Sequence, residues 1–258
     1  MPPLPTTLDD LGPAALSAVV VAAYLVLGEP LVGAVLHRRF EQRLRTDPGA
    51  RRSLYLRLLV LEWGLAGLAG LVCLAAPRIG LATVGLRWPR HWPGVLSGAA
   101  ALAVVLFALA TTRALRGGVL TRLPLEPAAD GRHGARPVHA TLAILPRTTT
   151  ERRLFALVGV TAGCCEEWLY RAFFLLVVSA LAGGLPPAVL VLAAAVAFGL
   201  AHAYQGLVGV VTTGVLGAVL TALYLDTGSL LFPVLLHALV DLRFLAVPAR
   251  VLPAGGRS

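Results

Sequence analysis

Residues 164–171 read Cys164-Cys165-Glu166-Glu167-Trp168-Leu169-Tyr170-Arg171, inside an apolar run from Leu154 to Leu181. Two adjacent carboxyls and an arginine in such a run decide the class of fold. A helix of about 20 residues crosses a hydrocarbon core of about 30 Å, and an ionisable side chain there costs roughly 3 kcal/mol on insertion scales, so each needs a partner or a task. Glu167 and Arg171 are i, i+4 on one helix face, and an ion pair along the helix neutralises that carboxylate. Glu166 points about 100° further round the helix. It has no such partner in its own span, which makes it a candidate general base.

The rest of the chain has the same character. Of 258 residues, 57% are hydrophobic and only 14% charged, with a mean hydropathy of +0.80. A soluble domain carries about 25% charge, so an ordinary water-soluble enzyme is excluded. The apolar residues gather into about seven spans, near Gly12 to Leu36, Ser53 to Ala76, Pro93 to Ala114, Leu154 to Leu181, Pro186 to Tyr204, Leu207 to Leu225 and Ser229 to Val247. The fold class is therefore all-α, a polytopic transmembrane helical bundle. The formal charge of +9 comes entirely from Arg, with no Lys in the chain. These Arg cluster in the loops between spans, which reads as orientation by the positive-inside rule rather than as nucleic-acid binding. The expected topology has the N-terminus outside and the C-terminus inside the bacterial inner membrane. Only the loop from Pro77 to Trp92 places Arg78, Arg87 and Arg90 on the outer side, and its Leu86, Trp88 and Trp92 suggest a segment lying in the interface.

The chain divides into residues 1–116 with spans one to three, a Pro-, Gly- and Arg-rich cytoplasmic linker at 117–150, a catalytic membrane core at 151–248 and a tail at 249–258. MPPLPTTLDD has no basic leader region and reads as an uncleaved start. Cys73, Cys164 and Cys165 are expected as buried thiols, since adjacent helical residues diverge too far to bridge.

The other polar residues at membrane depth lie in the back half. Span five offers Phe198-Gly199-Leu200-Ala201-His202 and span seven offers His237-Ala238-Leu239-Val240-Asp241. His237 and Asp241 share a face, and the small residues before His202 permit close helix packing. Glu166, His202, His237 and Asp241 can thus converge on one cavity from three helices. The zinc, serine and aspartate signatures of other intramembrane proteases are absent, which leaves a Glu/His set as the hydrolytic candidate.

Glu166-Glu167-x-x-x-Arg171, Phe198-x-x-x-His202 and His237-x-x-x-Asp241, in that order on successive apolar helices, resemble the CPBP family of intramembrane endopeptidases. That family takes in CAAX prenyl protease 2, the bacterial Abi or bacteriocin-immunity proteins and the lysostaphin-resistance-like proteins. The resemblance spans roughly residues 150 to 247. It implies that Glu166 and His202 activate a water for attack on a peptide carbonyl, with His237 and Asp241 as the oxyanion-stabilising pair. It also implies that Glu167, Arg171 and Phe198 shape the site. Asp241 departs from the Asn of many members; it is left to act as a protonated donor, to orient His237 or to help hold a metal.

Two His and two carboxyls suit a zinc ion by ligand type, with Glu166, His202, His237 and Asp241 as ligands. The expected state is nonetheless without cofactor, because no pair of His lies at i, i+4 on one helix. The expected partners are a membrane-associated protein or peptide substrate and the lipid bilayer, with no nucleic acid. A proton- or ion-coupled transporter and a non-catalytic immunity or scaffold protein are the rival readings. Glu29 and Glu62 are expected to bond between helices or to sit near kinks, with a substrate-path role for one of them as the alternative. Counted from the cytoplasmic start of span four at 1.5 Å per residue, Glu166 is too deep to meet His202 unless span four projects into the cytoplasm or breaks at Gly163.

Overall fold

The computed structural model describes residues 4–44, 46–117 and 142–252. Among them are seven principal helices and no strand: α1 (Leu8–Leu44), α2 (Ala50–Leu74), α3 (Val95–Arg116), α4 (149–181), α5 (Pro187–Ala201), α6 (Gly206–Thr227) and α7 (Leu231–Leu242). By length and composition α1, α2, α3 and α6 with its preceding turn can each cross a membrane, and α5 is a shorter apolar helix. The chain is an integral membrane helical bundle, as the composition requires.

Helix α4 is the centre of the bundle. Leu169 to Val177, Arg171 included, are buried without a break, because that stretch is surrounded by α1, α2, α5 and α6. Outward faces of the surrounding helices are apolar too, with Leu16, Leu71, Leu102 and Phe107 more than half exposed. Polar groups are turned inward instead, and Glu167 and Arg171 are completely buried. This is the arrangement of a protein whose solvent is lipid.

Several boundaries differ from the sequence reading. The basic stretch after Leu36 is not a loop but continues α1 to Leu44. Helix α4 begins five residues earlier than expected, at Thr149, because Thr148 and Glu151 form a capping box. The Thr148 hydroxyl accepts the Glu151 N–H at 3.2 Å, and the Glu151 carboxylate accepts the Arg147 and Thr148 N–H groups at 2.7 and 3.0 Å. Most of the proposed linker, residues 118–141, lies outside the described residues, as does the end of the tail. The segment just before α4 is tied to α2, with Arg51 donating to the Ala143 carbonyl at 2.9 Å and Tyr55 to the Ile144 carbonyl.

The 75–94 loop is stitched to the α6–α7 turn. Its Gly85 and Arg87 carbonyls accept from Leu230 N–H and Ser229 Oγ at 3.1 and 2.6 Å, and Arg90 N–H donates to the Thr227 carbonyl at 3.0 Å. Trp88 and Trp92 project from this anchored loop, each 81% exposed. That geometry suits the interfacial role expected for it.

Candidate active site

Two wide helical turns lie beside the carboxyls of the site. In α4 the backbone changes to a π-helix over Trp168–Phe174, immediately after Glu167. In α1 a π-turn over Tyr24–Gly28 ends immediately before Glu29 and Pro30, where the proline lacks the N–H that would continue the α-helical ladder. Such turns hold about one residue more than an α-turn and redirect the side chains around them. Helix α4 is continuous through Gly163, so of the two ways of bringing Glu166 to His202 the break at that glycine does not occur.

Gly163 has a different task. A Cβ at this position would lie 3.0 Å from Ala238 Cβ and 3.1 Å from its backbone nitrogen, so α7 seats directly on α4. Gly159, one turn earlier, faces the Asp241 Cβ at 3.3 Å. This glycine pair aligns α7 antiparallel to α4 and carries His237 to Glu167. The α5–α6 hairpin is as close: a Cβ on Gly199 would come within 2.7 Å of the Val210 carbonyl oxygen.

Glu167 is the buried hub. Its Oε1 accepts from Arg171 Nη1 at 2.9 Å, as the i, i+4 spacing predicts, and also meets His237 Nδ1 at 2.7 Å. The sequence paired His237 with Asp241 alone and missed the Glu167 contact, which exists only through the packing of α7 on α4. Arg171 further donates to the Gly217 carbonyl at 3.4 Å and lies over the Phe198 ring, 4.4 Å from its centroid. Phe198 also stacks against His202 at 4.8 Å and stands edge-on to His237 at 5.7 Å. It therefore spaces the two histidines.

With Nδ1 engaged by Glu167, His237 presents Nε2 to Glu166 Oε2 at 3.9 Å and to Asp241 Oδ2 at 3.7 Å. Both are charge contacts rather than hydrogen bonds. His202 Nδ1 lies 2.9 Å from the Phe198 carbonyl oxygen. A carbonyl only accepts, so Nδ1 carries the proton and Nε2 is left to the surroundings. Those surroundings are a cavity of about 470 Å³ whose walls include Glu166, His202, Tyr204 and Asp241.

His202 and Glu166 reach the same cavity because α5 is short. Glu166 stands 15 residues before the end of α4 at Leu181, and His202 stands 15 residues after the start of α5 at Pro187. Measured from the loop that joins the helices, about 22 Å of helix separates each from that loop. Counting from the other end concealed this match.

Glu29 and Glu62 also line the cavity, from α1 and α2. The sequence singled them out without assigning them to the site, because nothing local shows which helices the front half packs against. Among the described residues no three His, Cys, Asp or Glu side chains are grouped to hold a metal ion. Of the four candidate ligands, His237 has Nδ1 on Glu167 and turns Nε2 toward Glu166 and Asp241 at 3.9 and 3.7 Å, which is also how a zinc-binding histidine is oriented by a carboxylate.

Fold and site together define a helical membrane protein in which a Glu/His/Asp cluster opens on a cavity between the helices. Residues 149–243 match the family model described as Type II CAAX prenyl endopeptidase Rce1-like. All three motifs fall inside the matched segment, in line with the resemblance to the CPBP family. No curated protein and no solved structure matches the chain.

Proposed function

We propose that this protein is an intramembrane endopeptidase of the glutamate type that hydrolyses a peptide bond of a membrane-associated protein or peptide. The observation that carries the reading is the shared cavity, into which Glu166 and His202 both face while His237 stands 3.9 Å from Glu166. Glu166 takes a proton from a water held against it and His202 Nε2, and the water oxygen attacks the scissile carbonyl. The carbonyl oxygen gains negative charge in that step. His237, doubly protonated with Nδ1 on Glu167, donates from Nε2 to this oxyanion, and the Glu167–Arg171 pair fixes its ring. Glu166 then returns the proton to the leaving amine as the C–N bond breaks. Asp241 serves as counter-charge to His237 rather than as the oxyanion donor. No step runs through a metal.

The proposed setting is the bacterial inner membrane, with the Arg-rich side of the bundle and the C-terminus inward and the 75–94 loop outward. The test compares terminal peptides of the membrane proteome in cells carrying the wild type, Glu166→Ala or His202→Ala. New termini seen only with the wild type, at equal protein levels, support the reading. Identical termini in all three sink it and favour a non-catalytic membrane partner.

A further inference from the structure

The matched segment supplies only part of the cavity wall. Glu29 and Glu62, on helices outside residues 149–243, face the same space as Glu166 and Asp241. Four helices thus each bring one carboxyl to a largely apolar cavity, and among the described residues no Arg or Lys lines it. The two nearby cations are engaged elsewhere. Arg171 is spent on Glu167, the Gly217 carbonyl and the Phe198 face, while Arg243 donates to the Val240 carbonyl and stacks 4.1 Å from the Phe244 centroid.

A second observation points to a ligand. Oε2 of Glu29 and of Glu62 is each shielded from solvent and has no hydrogen-bond partner among the described residues. Buried carboxyl oxygens are normally satisfied, and one left open asks for a donor from outside the fold. A bare divalent ion is the wrong complement, because among the described residues no three ligands are grouped around a point. A guanidinium or ammonium on a flexible stem suits the arrangement better. It carries several donors spread over a few ångströms and can bridge carboxyls that do not converge, while its stem packs on the apolar wall.

We infer that the cavity selects substrates with a basic side chain, Arg or Lys, close to the scissile bond, and that Glu29 and Glu62 of the front helices receive it. This deepens the endopeptidase reading and rests on it for the identity of the ligand as a peptide. The front half then supplies specificity, and the matched back half supplies the hydrolytic chemistry.

The test uses the full chain in lipid nanodiscs and two lipid-anchored, fluorescence-quenched peptide libraries that are identical except that citrulline replaces every Arg. Citrulline keeps the shape and loses the charge. Cleavage is measured with the wild type, with Glu29→Gln and with Glu62→Gln; binding is measured separately with Glu166→Gln, alone and combined with each of those changes. The Arg library is expected to be cleaved and bound at least tenfold better than the citrulline library, and that ratio is expected to fall toward one when Glu29 or Glu62 is changed. If the wild type cleaves both libraries alike, the inference falls and the endopeptidase reading stands. Charge-selective binding that depends on Glu29 and Glu62, with no cleavage of either library, upholds the inference and overturns the hydrolytic reading. Neither binding nor cleavage of the Arg library overturns the inference, and the wild-type comparison decides even if a substitution impairs folding.

Discussion

Replacing Arg171 with Met leaves the Glu167 carboxylate buried with half its compensation. Both residues are 0% exposed and their charged atoms are 2.9 Å apart. At an effective dielectric of about 20, an attraction at that distance is of order 6 kcal/mol before desolvation is deducted. Removing one partner of a buried pair typically costs about 3–5 kcal/mol, because the other charge is stranded. His237 stays on Glu167 at 2.7 Å and holds the loss toward the lower end, while the stacking of Arg171 on Phe198 is lost as well. The expected destabilisation is about 3 kcal/mol, more than a hundredfold in the folded-to-unfolded ratio. Reversible unfolding in mixed micelles, titrated with a denaturing detergent, reads this directly. The double change Glu167→Gln with Arg171→Met is expected to recover part of the loss, since no charge is then stranded. A single variant within about 1 kcal/mol of wild type, or a double variant no better than the single, would refute the hub as described.

Other outcomes follow from the same geometry. Gly199→Ala pushes a methyl against the Val210 carbonyl and is expected to cost about 1–3 kcal/mol in the same unfolding titration. Gly163→Val should lift α7 off α4 and lower cleavage along with stability, whereas Gly67→Ala, on an open face of α2 with nothing within 4 Å and away from the cavity, should leave both within error of wild type. Asp226 accepts the Gly94 N–H at 2.7 Å and also the Ser97 hydroxyl at the start of α3; Asp226→Ala is expected to lose about 1–2 kcal/mol by the same readout. His237→Gln keeps a donor but not its charge, and should lower kcat of peptide cleavage by roughly a hundredfold with unchanged protein level.

The membrane bundle was legible because hydropathy and span length depend on lipid thickness alone. Glu166, His202, His237 and Asp241 were legible because each is an ionisable group in an apolar span, a cost that local sequence already exposes. The Glu167–Arg171 pair followed from helical spacing. Contacts between helices distant in sequence were not legible. His237 on Glu167, and Glu29 and Glu62 in the cavity wall, depend on which faces pack together. The apparent mismatch of depth between Glu166 and His202 came from the wrong reference end. The capping box at Thr148 and Glu151 was a readable signal for the true start of α4. The wide turns at Tyr24–Gly28 and Trp168–Phe174 have no simple sequence marker beyond Pro30, since they arise from accommodation to neighbours.

Helix α5 has 15 residues, about 22 Å of rise, against a hydrocarbon core of about 30 Å. The chain reverses at 202–205 before that thickness has been crossed, and the polar backbone of this turn needs hydration that lipid tails do not give. With α5 entering at one face of the core, lipid packed beside the α5–α6 hairpin would dip toward this turn, a local dent in the bilayer. Beneath such a dent, water would reach His202 from the surface rather than be extracted from half a membrane away. For the proposed hydrolysis, which consumes one water per bond broken, a helix that stops short would be a means of supply.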